Sequence, residues 1–495
     1  MITPEQFQRH AADNRDPAAR LRVPVVREVL SDLDTPLSVY LKLADAPHTY
    51  LFESVEGGER FGRYSIIGLP ARRTVAFRGH AMEVREDGAV VESRRVADPF
   101  AEVEALRAAH AVPRLEGLPG FTGGLVGWFG FECIGYIEPR LAGPAGRDEL
   151  GTPDIYLMLS EELAVFDNLK GRLYLIVHAD PREPGAWERA QQRLDALVDK
   201  LRQPGRYPPP LRRDALDESH FVSGFTREGF IAAVEKSKEY IRAGDVFQVV
   251  LSQRLSVPFD ARPVDVYRAL RALNPSPYMY FLDTGDMQVV GSSPEILVRL
   301  QDGEVTVRPI AGTRPRGRTQ EEDQALEAEL LADPKERAEH LMLIDLGRND
   351  VGRVSEAGSV EVGERFVIER YSHVMHIVSE VTGRLLPGLG YADVLRATFP
   401  AGTVSGAPKI RALEVIRELE PIKRNVYAGS IGYIGWHGDA DTAIAIRTAV
   451  IKDGRLHVQA GAGIVYDSDP EKEWDETMNK GRALFRAVAQ AAAGL

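Results

Sequence analysis

Apolar and polar positions alternate over much of this chain, and at intervals the apolar spacing lengthens to the period of a helix. Residues 1–30 predict a short helix and a lead-in strand. T-Y-L-F-E-S-V-E-G-G-E-R-F-G-R-Y-S-I-I-G, residues 49–68, predicts strand, glycine-rich turn and strand. Short strand patterns follow at 74–77 and 81–85, then a helix over 99–110. The run G-F-T-G-G-L-V-G-W-F-G-F-E at 120–132 spaces glycines among aromatics but has neither G-K-[ST] nor G-x-G-x-x-G, so close backbone packing is predicted rather than a phosphate loop. Residues 156–166 and 172–178 alternate as a hairpin, and 185–202 predicts a helix with a basic outer face.

The composition then shifts. Q-P-G-R-Y-P-P-P-L-R-R-D-A-L-D predicts a proline-rich linker over 203–217, between an N-terminal regulatory or scaffold region, 1–202, and a catalytic region, 218–495. The two regions are expected to pack into one compact unit. A helix is predicted from about Thr226 to Arg242, with strands at 246–257, 279–283, 287–299 and 304–310. Two helices, 320–331 and 334–346, precede strands at 373–383 and 429–436, with a helix at 408–419 between them. Strands at 442–451 and 455–466 and a helix over 470–492 close the chain. Strands joined by short turns, with helices in blocks, predict an α+β fold with large, mainly antiparallel sheets. No fixed-period repeat is present.

At 495 residues the chain can bury a large core, and 44% hydrophobic with 27% charged residues is a globular composition. The net charge of −12 argues against nucleic-acid or anionic-membrane binding by bulk attraction, so an anionic substrate would need local arginines. Cys133 is the single cysteine, which excludes an internal disulfide and predicts a buried, inert thiol in a reducing, cytoplasmic setting. No basic-then-apolar leader and no uncharged apolar run of about 18 residues is seen.

The chain is organised around D-P-K-E-R-A-E-H-L-M-L-I-D-L-G-R-N-D, residues 333–350. Asp333 and Pro334 form a helix start, Glu336 and Glu339 share a face, and apolar residues most of the way round predict burial. Asp469-Pro470 starts a second helix on which Glu473 and Glu476 share a face, with Lys480 one turn on. Such pairs are commonly solvated faces; buried, they need protons, a basic partner or a hard cation such as Mg2+. P-I-A-G-T-R-P-R-G-R, residues 309–318, reads as an anion-binding turn or an exposed basic loop. Arg447, ending A-I-A-I-R, follows the inward period of a strand and needs an anionic partner. Tyr427 offers a hydroxyl, and Gly461-Ala462-Gly463 interrupts an apolar strand where something approaches the backbone. His376 reads equally as a core histidine or a proton-transfer group, and Glu295 as a strand-end residue or a general acid raised by burial.

These stretches together resemble the chorismate-utilising enzymes. The likeness runs from about Arg227 to the end through G-D-V-F-Q, G-S-S-P-E, P-I-A-G-T-R-P-R-G, A-E-H-L-M-L-I-D-L-G-R-N-D-x-G-R-V, S-G-A-P-K, Q-A-G-A-G-I-V and E-x-x-E-T-x-N-K, with L-F-E-S and G-R-Y-S-I-I-G before it. The resemblance implies a sheet sandwich flanked by helices and the conversion of chorismate and ammonia to anthranilate and pyruvate, the entry to tryptophan biosynthesis, with Mg2+ as cofactor. By that resemblance Glu339 and Glu476 hold the metal, with Glu336 and Glu473 close by. Glu295 is the general acid, His376 takes up the ring proton, and Gly312, Thr313, Tyr427, Arg447, Gly461, Ala462 and Gly463 bind substrate. Ser54, Pro277, Tyr278 and Met279 resemble positions that bind tryptophan as a feedback inhibitor.

Members that form isochorismate or salicylate carry a lysine where this chain has Gln248, and aminodeoxychorismate-forming members read P-I-K-G-T where Ala311 stands here. Both differences favour anthranilate over the aminodeoxychorismate alternative, and intact Glu295, His376, Glu339 and Glu476 argue against a silent partner-binding homologue. Cys133 is not in a G-x-C-x-G turn, so ammonia is expected from a separate glutamine amidotransferase subunit.

Overall fold

The computed structural model describes residues 2–14, 16, 18–54, 62–143, 146–205, 216–371 and 374–495. The predicted turn at 55–61 and most of the proline-rich segment (206–215) lie outside them.

Among the described residues the fold is α+β, as expected, and rests on two large antiparallel sheets of eleven and twelve strands. The first sheet runs from Glu361–Val362 at one edge, through Ile296–Gln301, Ala440–Ile444, Ser430–Gly435 and Gly124–Phe129, to Ala89–Arg95 at the other. The second places Gln248–Pro258, Arg455–Ile464, Thr448–Lys452, Met287–Ser293, Tyr278–Asp283 and Thr49–Glu53 side by side. Strands from before and after the proline-rich segment are therefore neighbours in both: Ser430–Gly435 pairs with Gly124–Phe129, and Tyr278–Asp283 with Thr49–Glu53. A core of Trp128, Tyr156, Met158, Ile431, Tyr50, Val165, Ile176 and Tyr280 fills the space between the sheets. Helices cover their outer faces: Tyr391–Thr398 and Arg227–Arg242 pack on one core, Ala186–Arg202, Pro263–Leu273 and Pro470–Ala493 on another. The expected close packing holds for Gly123, Gly124, Gly127 and Gly130 but not for Gly120, which faces open space; a Cβ on Gly127 would stand 1.9 Å from the carbonyl oxygen of Tyr156.

Several predicted single strands are two strands in different sheets. The pattern at 287–299 breaks at Pro294-Glu295: Met287–Ser293 belongs to the twelve-stranded sheet and Ile296–Gln301 to the eleven-stranded one. Proline has no N–H to donate to a ladder, so the chain changes sheets there. The pattern at 442–451 likewise divides into Ala440–Ile444 and Thr448–Lys452. Residues 155–160 and 162–167 separate in the same way, and only the second forms the hairpin with Arg172–Ala179. The segment predicted at 373–383 is Val374–Val378, in a three-stranded sheet, and Val381–Arg384, in the eleven-stranded one. The helix Tyr391–Thr398 is additional to those predicted, burying Tyr391, Val394, Leu395 and Thr398 at helical spacing.

The two acidic helices start as expected. Asp333 accepts from the backbone of Lys335 and Glu336, and Asp469 from that of Glu471 and Lys472, each with proline next. The first runs further than predicted, Pro334–Gly352, and is not buried all round. His340, Leu343, Ile344, Gly347, Asp350 and Val351 face inward, whereas Ala338 and Leu341 are exposed. One stripe of 3.6-residue period suffices to dock it.

Candidate active site

The two sheet-to-sheet connections lie against each other and carry two of the predicted site residues. Ile444 N–H donates to Glu295 O at 3.0 Å, Ser292 N–H to Arg447 O at 3.1 Å, and Ser293 Oγ to Ile444 O at 2.7 Å. Glu295 is thereby fixed at the seam between the sheets. Its carboxylate is buried and accepts from Thr403 Oγ1, 3.2 Å from each oxygen. Burial raises its pKa to about 8, against the opposing pull of Thr403 and of the charge on Lys480.

Arg447 departs from its predicted setting. It is not on a strand but in the connection, with φ of 52°, and its Nη1 donates to the carbonyl of Lys480 at 2.7 Å. The alternation of A-I-A-I-R continues through the end of one strand without marking it. Burial lowers the Arg447 pKa from the usual arginine value, with Tyr427 and Glu476 acting the other way.

His376 lies in Val374–Val378, and its Nδ1 is 2.8 Å from Gly312 O and 3.1 Å from Thr313 Oγ1. With the proton on Nδ1, the carbonyl is satisfied and Nε2 is left as an acceptor. Burial holds the imidazole below the usual histidine pKa, so it is neutral at pH 7. Tyr371 lies beside His376, ring centroid to ring centroid 5.4 Å, and its pKa is raised by burial, then by Glu369, with a smaller share from the charge of Glu295.

Tyr427 is buried, and burial pushes its phenol up to about 12. Its hydroxyl explains one of the interrupting glycines, because a Cβ on Gly461 would stand 2.9 Å from it and 2.8 Å from Leu251 O. Ala462 is fully buried and Gly463 pairs with Val250. Lys480 Nζ donates to Gly461 O at 2.9 Å and pairs with Glu476 at 2.7 Å.

The four glutamates form two pairs. Glu336 lies 3.8 Å from Arg314, and Gln248 Nε2 donates to Glu339 at 3.4 Å. Burial raises the pKa of Glu336, reinforced by Glu339 and Asp333; burial also raises Glu473, opposed by Ser468 and reinforced by Glu476. Lys335 acts electrostatically on Glu473, so the starts of the two helices are near each other. Among the described residues no group of three or more acidic, histidine or cysteine side chains is drawn into a preformed cage. Even so, the donor chemistry fits a hard cation: the oxygens are all carboxylate, and burial with repulsion from a neighbouring carboxylate disfavours the charge on Glu336 and Glu473, whereas Glu476 is paired with Lys480.

Two arginines of residues 309–318 are taken up by nearby acids. Arg314 pairs with Glu329 and Asp333 and stands 3.8 Å from Glu336, and Arg316 pairs with Asp323, so the turn is tied to the two helices that follow it. Cys133 is buried, donating to Asp154 O at 3.3 Å, and burial raises its thiol pKa well above the usual value.

Ser54, Pro277, Tyr278 and Met279 are brought together elsewhere, on the wall of a 340 Å3 cavity between the sheets. Tyr278 Oη donates to Asp441 at 3.0 Å, and Arg299 Nε reaches the same carboxylate at 3.1 Å. Two site residues were not singled out from sequence. Thr403 lies beside the S-G-A-P-K motif with no periodic signal of its own, and Lys480 reads there only as a neighbour of the glutamates.

A buried carboxylic acid, a neutral histidine and two pairs of glutamates on a two-sheet α+β fold accord with the chorismate-utilising class. The chain matches the chorismate binding enzyme family over residues 48–486 and belongs to it. It is 59% identical to anthranilate synthase component 1 of Pseudomonas aeruginosa over 98% of each chain, and 54% identical to that of Neisseria meningitidis over the whole of both. The solved anthranilate synthase component I of Streptococcus pneumoniae superposes with a TM-score of 0.77 at 40% identity, covering 92% of this chain and 99% of that one. The menaquinone-specific isochorismate synthase of Escherichia coli, 19% identical with a TM-score of 0.71 over 97% of this chain and 98% of its own, shares the fold.

Proposed function

We infer that this chain is the chorismate-binding component of an anthranilate synthase, converting chorismate and ammonia to anthranilate and pyruvate. The observation that carries the reading is Glu295, a buried carboxylic acid still protonated at neutral pH, in a chain 59% identical along nearly its full length to an enzyme of that name. Arg447, the Tyr427 hydroxyl and the backbone at Gly461–Gly463 bind the substrate's carboxylates and orient its ring. As ammonia adds to the ring, Glu295 gives its proton to the departing ring hydroxyl, which leaves as water. His376 Nε2 then takes the ring proton as the enolpyruvyl C–O bond breaks, which makes the ring aromatic and releases enolpyruvate, and a proton added to its methylene carbon gives pyruvate. Glu339, Glu336, Glu473 and Glu476 would hold Mg2+. When bound, the ion supplies positive charge for the ring carboxylate and the leaving hydroxyl.

Ammonia comes from a glutamine amidotransferase subunit, consistent with the relatives being called component 1. Tryptophan occupies the cavity at Ser54, Pro277, Tyr278 and Met279 as an inhibitor. The reaction runs in the cytoplasm; among the described residues no helix is long and apolar enough to cross a membrane.

The test is fluorescence of the purified chain with chorismate, Mg2+ and ammonium, then with glutamine instead. Anthranilate and pyruvate from ammonium but not glutamine are expected. Chorismate consumed without anthranilate would overturn the reading in favour of an aminodeoxychorismate product.

A further inference from the structure

Arg424 follows the helix Lys409–Leu419, and its side chain is 1% exposed. A guanidinium so deeply enclosed is costly unless every direction in which it points is occupied. Its Nε and Nη2 fork onto Glu420 at 2.9 and 2.6 Å. The remaining bonds go to two separate backbone segments: Nη1 donates to Val404 O and Nη2 to Val250 O, both at 2.7 Å. The guanidinium also lies over the rings of Phe131, at 4.5 Å, and Tyr427, at 5.6 Å. Burial opposes its charge, and Glu420 more than offsets that.

Each tethered segment carries part of the crevice. Val404 follows Thr403, whose hydroxyl holds Glu295. Val250 pairs with Gly463, and its own N–H donates to Ser405 O at 2.9 Å. Glu420 extends the same brace, accepting from Ser252 N–H at 2.7 Å and from its Oγ at 2.9 Å, while Ser252 faces Gly461 across the ladder. Stability alone could be met by two apolar side chains of similar volume. A rigid fork reaching three groups at once is suited to setting distances between them.

We propose that Arg424, braced by Glu420, is a positioning residue for the reaction, holding the Thr403 loop that seats Glu295 at a fixed distance from the strands and the tyrosine that bind substrate. It touches no substrate and acts through Thr403, Tyr427 and the backbone of Val250. The inference rests on the reading of Glu295 as the proton donor.

The test compares Arg424→Lys and the double variant Arg424→Met/Glu420→Leu with wild type and Glu295→Gln. It measures kcat, KM for chorismate, the alkaline limb of the pH profile per free ammonia, and the melting temperature. Arg424→Lys keeps the charge but loses the fork, and the double variant removes both charges so that neither is left buried alone. Both are expected to lose kcat on the order of tenfold to a hundredfold, with a smaller change in KM. In both the limb moves to higher pH, because the Thr403 bond that pulls the Glu295 pKa down is weakened; Thr403→Val should move it the same way. Wild-type kcat and limb in both Arg424 variants, or a lowered melting temperature with an unmoved limb, would overturn the inference. If Glu295→Gln loses the limb while the Arg424 variants keep it, the inference alone fails. If Glu295→Gln keeps the limb, the reading of Glu295 fails and the inference with it.

Discussion

Ser292 and Arg447 are joined backbone to backbone at 3.1 Å, and that bond ties the end of one strand to a connection by which the chain passes between its two sheets. Glu295 sits three residues from one partner, and Arg447 is the other. The seam is a place where peptide groups leave one ladder before entering the next, so side chains there project out of the pleat.

Replacing Glu295 by Gln preserves shape and a hydrogen bond to Thr403 but removes the transferable proton. A loss of kcat of about 10²- to 10⁴-fold is expected, with the fold retained by circular dichroism; turnover within a few-fold of wild type would count against the acid role.

The pH profile follows from the two shifts. His376 must be neutral to accept a proton, and burial lowers its pKa, so activity falls only below the ordinary histidine range. Glu295 must be protonated, and its pKa is raised to about 8, so activity falls as pH rises through that value. Rates expressed per free ammonia should give a bell whose alkaline limb disappears in Glu295→Gln.

His376→Ala removes the acceptor for the ring proton but leaves the amination machinery in place. An aminated, non-aromatic intermediate should accumulate and be seen by chromatography. Anthranilate released at the wild-type rate would assign the proton to another group.

Glu339→Gln and Glu473→Gln each take one carboxylate from the acidic pairs. Calorimetry should show Mg2+ binding weakened about tenfold or more, and Glu473→Gln should be more stable than wild type at neutral pH when metal-free. For Glu473 the sign is set by its raised pKa: the folded state favours its protonated form, so ionisation at neutral pH costs stability that Gln does not lose. Unchanged Mg2+ affinity in both would remove the metal from this pair of helices.

Gly461→Ala would set a methyl 2.9 Å from Tyr427 Oη and 2.8 Å from Leu251 O. Overpacking of this kind costs about 1–3 kcal/mol, to be read by denaturant unfolding. Chorismate KM should rise as Tyr427 is displaced.

The acidic helices could be placed because Asp-Pro caps mark their starts, whereas the strand predicted over 287–299 ran through the break at Pro294-Glu295 where Glu295 sits. Arg447 was singled out on a period that is not there: alternation continues smoothly through Ala445 and Ile446 although the ladder ends at Ile444, and nothing in residue type announces a left-handed backbone at an arginine. The arginines at 314 and 316 looked like anion binders because their local acid partners, Glu329, Asp333 and Asp323, come from the helices that follow them. Thr403 and Arg424 are invisible to periodicity, since their significance lies in which distant backbone they touch.

The interleaving of early and late strands has a consequence for synthesis. Gly124–Phe129 takes its place beside Ser430–Gly435, about 300 residues further on. At ordinary translation speeds roughly 15 to 60 s separate the emergence of the two. For that interval one edge of an apolar strand waits on the ribosome without its neighbour, a template for the wrong partner. A nascent chain arrested in the proline-rich segment would hold both half-built sheets open.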